Sequence, residues 1–231
     1  MTDILLERVD KSYGGKTILK DYRLEVKQGE FLCISGESGS GKTTLLNIIG
    51  LMERPDSGKV VVKGIENPKI TKKEGRELLR KELFFIFQNY GLVEEKTVQY
   101  NLEVSMRFSK KKKEDMAGAL KKVGLLPEIV KQKVFTLSGG EQQRVALARL
   151  YLRDFSIILA DEPTGSLDSG NRDRVLKILR EMNQNGKTVI VVSHDKEVEK
   201  CATRVVFLSP GSSEKEKEPS DKKYMDAEEK G

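Results

Sequence analysis

The sequence predicts an α/β fold: a mainly parallel sheet with helices, an antiparallel β region ahead of it, and an inserted helical region. Three observations carry that expectation. Apolar, β-branched runs at Ile157–Ala160, Val189–Val192 and Val205–Leu208 are separated by helical segments, the alternation that builds parallel sheets. Apolar residues in Ile4–Val9 and Tyr22–Val26 fall at roughly alternate positions, as in half-buried antiparallel strands. Between about Thr97 and Arg153 the pattern turns helical, with Val98, Leu102 and Met106 at spacing four.

Taken in order, the two opening strands flank a turn at Tyr13-Gly14-Gly15. Phe31–Ile34 is a continuous apolar run, as expected of a strand buried on both faces, and leads through a glycine-rich loop into a helix over Lys42–Gly50. A turn at Pro55-Asp56-Ser57-Gly58 precedes a strand at Lys59–Val62, and Leu83–Phe87 is a further buried strand. Lys110–Val123 reads as an amphipathic helix with a basic face, Lys110–Lys113 being its solvated start rather than a specific anion site. A helix is expected over Glu141–Arg153. These elements divide the chain into a first part of the α/β core (1–90), a helical region (91–153), a second part of the core (154–209) and a tail (210–231). The tail is rich in Glu, Lys and Ser, too apolar-poor to order itself, and is expected to be flexible.

A chain of 231 residues with 37% hydrophobic and 34% charged residues can bury a core of its own. Its net charge of +6 comes from 42 basic and 36 acidic residues that are interleaved, not gathered in the stripe typical of nucleic-acid binding. No nucleic-acid partner is expected, whereas docking on an anionic membrane face suits this balance. No apolar run approaches the roughly 18 to 20 residues needed to span a bilayer, and charge returns at Glu7, so neither a span nor a signal core is expected. Cys33 and Cys201 lie far apart and His194 is the single histidine, which excludes a Cys/His metal cluster. Both thiols are expected reduced and partly buried, as in a cytoplasmic protein.

Two stretches carry phosphate chemistry. Gly36-Glu37-Ser38-Gly39-Ser40-Gly41-Lys42-Thr43 places glycines so that backbone N–H groups can turn inward on an anion at a helix N-terminus. Lys42 would reach the β- and γ-phosphates and Thr43, followed by Thr44, would place a hydroxyl on Mg²⁺. Ile157–Ala160 ends in Asp161 and Glu162. Asp161 would hold the metal's hydration shell, and Glu162 could polarise a water for attack on the γ-phosphate. A third stretch, Leu137-Ser138-Gly139-Gly140-Glu141-Gln142-Gln143-Arg144, sets a serine and paired glycines before a helix, a second site of anion-binding type. Two phosphate-type loops with one metal site make sense when the second loop closes on a nucleotide held by a partner chain.

The string from Leu137 to Arg144 resembles the signature motif of the ABC (ATP-binding cassette) family, and the likeness extends over the chain to about Ser209 in the family's order. It implies a phosphate-loop nucleotidase core with an antiparallel β subdomain and a helical subdomain. By the same resemblance Tyr13 stacks on adenine, Gln88 senses Mg²⁺ and links to the membrane partner, Ser166-Leu167-Asp168 is a dimer-contact loop, and His194 contacts the γ-phosphate. The family's head-to-tail homodimer implies two ATP molecules at the interface. Each is held by Gly36, Ser38, Gly39, Ser40, Gly41, Lys42, Thr43, Thr44, Gln88, Asp161 and His194 of one chain and by Ser138, Gly139, Gly140 and Glu141 of the other. Glu162 is then the catalytic base or the residue that orients the attacking water.

Leu45–Pro55 and Asp161–Asp168 are similar to the macrolide-export, lipoprotein-release and bacitracin-resistance group, and Phe87–Val93 with the short helical insert resembles ATPases beside Gram-positive bacteriocin-export permeases. The resemblance implies an ATPase on the inner face of the membrane, driving a permease that docks near Gln88–Glu95 and exports a peptide, antibiotic or lipid-like substrate. A cell-division type ATPase, which signals through a membrane partner without transport, shares every one of these motifs and stays open. Family members that act on DNA ends or ribosomes carry long coiled-coil inserts or two fused cassettes, for which this chain has no room.

Overall fold

A computed structural model describes residues 1–165, 167–209 and, for the backbone, 215–217. Strands β1 (Thr2–Tyr13), β2 (Lys16–Lys27), β4 (Ser57–Val62) and β5 (Ile65–Glu66) form an antiparallel sheet in the order β2-β1-β4-β5. Strands β3 (Phe31–Ser35), β6 (Leu83–Ile86), β7 (Ile157–Asp161), β8 (Thr188–Val192), β9 (Arg204–Phe207) and β10 (Lys215–Lys217) form a second sheet in the order β10-β9-β3-β8-β7-β6. All its pairings are parallel except that of β9 with β10. The predicted α/β class and its antiparallel leading region are both present.

The central strands bury both faces, and their two-residue period divides the core in two. Phe31, Cys33, Phe84, Ile158, Ala160, Val189 and Val191 face one side. There they pack against α3 (Val98–Met106), α4 (Asp115–Lys122), α5 (Gly139–Ala148) and α6 (Ser169–Gln184) through residues such as Leu102, Leu120, Val145 and Leu179. The alternate residues Leu32, Ile34, Leu83, Ile157, Leu159, Ile190 and Val192 face the other side, against α1 (Lys42–Ile49), α2 (Lys73–Lys81) and the antiparallel sheet. Each fully buried aliphatic side chain in these clusters contributes about 1.5–3 kcal/mol relative to exposure, so register errors of one residue are strongly disfavoured.

Three expectations shift. The basic helix begins at Asp115, not Lys110, because the Asp115 carboxylate accepts the Lys112 N–H at 2.7 Å and turns the chain before the helix starts. The helix expected over 141–153 starts at Gly139, capped by Ser138, and gives way after Ala148 to a 3₁₀ turn over Arg149–Tyr151. Apolar periodicity does not announce α2: only Gly75 and Leu78 of its nine residues are buried, too few to stand out in a polar stretch, although Glu74 in its first turn and Arg80 and Lys81 in its last suit a helix. Of the tail, residues 215–217 pair with β9 from Lys215↔Phe207 to Lys217↔Val205. Backbone pairing with an open sheet edge needs no apolar side chains, which is why composition missed it. The rest of the tail lies outside the described residues.

Candidate functional site

Because β3, β6, β7 and β8 run parallel and in register (Ile34↔Val192, Asp161↔Val192, Ile86↔Ala160), their C-terminal ends share one edge. The segments that leave them carry the candidate chemistry, as open α/β sheets generally arrange it.

From β3 the chain enters the glycine-rich loop. Gly36 has φ +151, and a Cβ there would stand 2.3 Å from the Leu208 carbonyl oxygen; Gly41, at φ +101, caps α1 where a Cβ would meet Ile18 at 2.4 Å. A side chain at either position would clash with these neighbours and require a strained backbone. Lys42 is 8% exposed and curls back so that its ammonium donates to the carbonyls of Gly36 (2.9 Å) and Glu37 (2.8 Å). Among the described residues it makes no ion pair, and the first turn of α1 carries no acid to oppose the helix dipole. Ser38 and Gly39 form the exposed rim and Ser40 is buried, its hydroxyl unpaired.

From β7 come the two acids. Thr43 donates its hydroxyl to Asp161 at 3.2 Å, tying loop to strand end. Burial pushes the Asp161 carboxyl above its ordinary range and the neighbouring Glu162 adds to this, while the Thr43 bond and Lys42 oppose it. Glu162 sits at φ +44, a left-handed conformation costly for a side chain of this size, held by its N–H bond to the Val192 carbonyl at 2.9 Å. That twist separates the two carboxylates. Glu162 faces the segment leaving β8, where His194 Nδ1 stands 2.9 Å from Oε1 and the Ser193 hydroxyl donates to Oε2 at 3.3 Å. His194 is 75% exposed and Glu162 17%, so the imidazole covers the acid from the solvent side. Asp195, next in line, caps α7 (Lys196–Cys201) and accepts the Thr164 hydroxyl at 3.1 Å, tying the segments after β7 and β8 together.

Gln88, exposed beyond β6, shares a narrow crevice with Glu162, Pro163 and Gln143. Gln143 is buried on α5 and donates to the Pro163 carbonyl at 2.9 Å, a direct tether from the helical region to the acid strand. Tyr13 lies at the end of β1, 45% exposed, with its hydroxyl on Glu53.

The Ser138–Gly140 turn has its own geometry. Ser138 caps α5 by accepting the Glu141 N–H at 3.3 Å, while the Glu141 carboxylate accepts both the N–H (2.9 Å) and the hydroxyl (2.8 Å) of Ser138. These bonds hold the Glu141 carboxyl below its ordinary range. Gly139 is open to solvent; a Cβ on Gly140 would stand 3.1 Å from the Asn171 amide, which is itself held by Asp168 and Arg144. Among the described residues no hydrogen bond or ion pair links this turn to the Gly36–Thr44 loop. Ser166 lies outside the described residues.

So the structure gathers the loop, Asp161, Glu162, His194 and Gln88 on one sheet edge and carries Ser138–Glu141 on a separate helical face. The sequence reading passed over Gln143, Ser193, Asp195 and Glu53. Only the first had a signal, a polar residue on the inner face of a helix.

The donor set fits a hard cation. Thr43, Asp161 and Gln88 offer oxygen ligands, as Mg²⁺ prefers, and among the described residues no trio of His, Cys, Asp or Glu could hold a metal unaided. Both cysteines are free; burial pushes the Cys33 thiol up to about 12 and raises Cys201, so neither is a reactive thiolate. Among the described residues no helix is long and apolar enough to cross a membrane.

Comparison with known proteins agrees with this geometry. The family model described as ABC transporter matches residues 19–165. The uncharacterized ABC transporter ATP-binding protein YvrO of Bacillus subtilis is 41% identical over 216 residues, covering 90% of this chain and 94% of that protein. The macrolide export ATP-binding/permease protein MacB of Bartonella quintana is 40% identical over 219 residues, 90% of this chain but 33% of MacB. The chain thus spans about a third of the length of the MacB relatives it matches. The solved dimeric structure of MJ0796, a bacterial ABC transporter cassette, superposes with a TM-score of 0.84 at 36% identity, covering 93% of this chain and 97% of that one. A second structure of MJ0796, dimeric in a post-hydrolysis state with ADP and Pi, gives a TM-score of 0.83 at 34% identity, covering 92% of this chain and 98% of that one. With the phosphate loop, paired acids and capped signature helix in place, this chain belongs to the ABC transporter family, as an ATPase cassette.

Proposed function

We propose that the chain binds ATP at the β3–β7–β8 edge, closes head-to-tail on a second copy, and drives an integral-membrane permease in export of a peptide, antibiotic or lipid-like substrate. It would work from the cytoplasmic face of the membrane as a peripheral subunit. The dimeric MJ0796 structures support the assembly, and the combined ATP-binding and permease name of MacB supports the partner and the direction.

The observation that carries the chemistry is the division of the two adjacent acids: Asp161 under Thr43, and Glu162 under His194 and Ser193. Lys42 and the loop N–H groups bind the β- and γ-phosphates, and Tyr13 receives the base. Thr43, Asp161 and Gln88 would hold Mg²⁺, which when bound neutralises charge on the phosphates. Glu162 orients the attacking water and accepts its proton, and His194, at the solvent side of that carboxylate, meets the γ-phosphate. Ser138, Gly139 and Gly140 of the second copy cover the phosphates, with Glu141 fixing their turn. A groove near Gln88–Glu95 takes the permease.

Glu162→Gln tests this reading, since the amide keeps the size and contacts but cannot take the proton. ATP binding should persist while turnover falls by roughly 100-fold or more. Near wild-type hydrolysis by that variant would sink the assignment.

A further inference from the structure

The last residues of β1 are stitched to the segment that follows α1. The Tyr13 hydroxyl donates to the Glu53 carboxylate. The Lys11 ammonium stands over the Tyr13 ring, 5.0 Å from its centroid. That ammonium also pairs with Glu53 at 3.0 Å and Asp56 at 3.2 Å, and donates to the Arg54 carbonyl at 2.9 Å. Asp56 in turn accepts the Ser12 N–H at 2.8 Å. Lys11 and Glu53 are largely shielded, their side chains 11% and 21% exposed, so this pair is stronger than a surface one. Glu53 is itself fixed, because its N–H donates to the Asn47 carbonyl at 3.2 Å, in the last turn of α1. The first turn of that same helix carries Lys42 and Thr43.

A connection therefore runs from the aromatic ring, through the Glu53 carboxylate and, beside it, the Thr44 side chain, to the helix that begins at the phosphate loop. The ring has an ammonium over one face and remains 45% exposed. A tyrosine at a strand end would otherwise sample several rotamers, and a ligand would bear the cost of ordering it.

We infer that Glu53 is a positioning residue for the nucleobase: it locks the Tyr13 ring at a set distance from the phosphate loop, with Lys11 over one face and the other face left for a purine. The inference rests on the reading of Tyr13 as the base platform. Glu53 touches no phosphate, so its contribution belongs to base binding and not to the chemical step.

The test measures KM and kcat for ATP, and the inhibition constant of inorganic triphosphate, in the wild type, Tyr13→Phe, Glu53→Ala, Glu53→Gln and Tyr13→Ala. Tyr13→Phe keeps the stacking face and loses the hydroxyl's contacts with Glu53 and Thr44, so Glu53→Ala is needed beside it to isolate the tether. Both should raise KM for ATP by about threefold to tenfold, the scale of one immobilised side chain. Their kcat should stay within about twofold, with the triphosphate constant unmoved, and a chain carrying both Tyr13→Phe and Glu53→Ala, measured alongside, should be no worse than the more impaired single one. Glu53→Gln, which still accepts the tyrosine hydroxyl, should recover part of the loss. An unchanged KM in Tyr13→Phe and Glu53→Ala, with Tyr13→Ala impaired, overturns the tether and leaves the platform standing. Equal weakening of ATP and triphosphate by Glu53→Ala also overturns it, since the effect would then lie in the phosphate loop. An unchanged KM in Tyr13→Ala removes the platform itself and the inference with it.

Discussion

The two anion-type loops of this chain are built on opposite plans. The Gly36–Thr44 loop grows out of a fully buried strand, keeps a lysine that makes no ion pair among the described residues, and leads into a helix with no acid in its first turn. The Ser138–Glu141 turn sits on the helical region, and its helix N-terminus is already occupied by the chain's own Glu141 carboxylate. One loop folds a lysine ammonium onto its own carbonyls with no acid in the helix turn behind it; the other has its helix N-terminus capped by its own carboxylate. In the proposed function the roles divide accordingly: the first loop captures phosphate alone, and the second adds to a nucleotide already held elsewhere.

Removing the ammonium from the first loop should break that contrast most severely. Lys42→Ala should lower ATP hydrolysis by at least roughly 100-fold, read in a steady-state phosphate-release assay, because the transferring charge loses its fixed cation. Ser138→Ala should cost less for the free chain, about 1 kcal/mol of stability from the lost cap, measured by urea unfolding. The same change should reduce turnover without weakening ATP binding to the single chain. Glu141→Gln sharpens the comparison further. A glutamine retains the capping geometry but removes a negative charge, so hydrolysis should rise or hold while the acid sensitivity of folding weakens. The sign follows from the lowered carboxyl of Glu141: its stabilising contribution is complete above the unfolded-state pKa and fades as pH falls through the lower folded value.

The smallest expected effect concerns Asp161, whose carboxyl burial raises. Its ionised form is penalised in the folded chain, so the penalty is present above the folded pKa and absent below the unfolded one. Asp161→Asn should therefore raise the melting temperature of the nucleotide-free chain at pH 7.5, with the gain shrinking as pH approaches 4. A melting temperature that falls, or a gain independent of pH, would contradict the burial argument.

Much of this was legible in the sequence because the signals were local. Continuous apolar runs such as Phe31–Ile34 and Val189–Val192 announced strands buried on both sides, and the glycines after Phe31–Ile34 announced a loop leading into a helix. What was not legible depends on through-space closure. The left-handed φ at Glu162 occurs where its N–H bonds the Val192 carbonyl, thirty residues downstream. Gln143 reaches Pro163 and Tyr13 reaches Glu53 only because the fold brings distant segments together. The Asp115 carboxylate that delays α4 and the backbone pairing of residues 215–217 leave no periodic trace at all.

The central claim is that the two loops complete one site only across two copies. Light scattering on the Glu162→Gln chain, with and without ATP and Mg²⁺, tests it most directly. The account predicts a doubling of mass with ATP, none with ADP, and loss of the doubling when Ser138→Arg is added. A chain that binds ATP yet keeps its single-copy mass would contradict it.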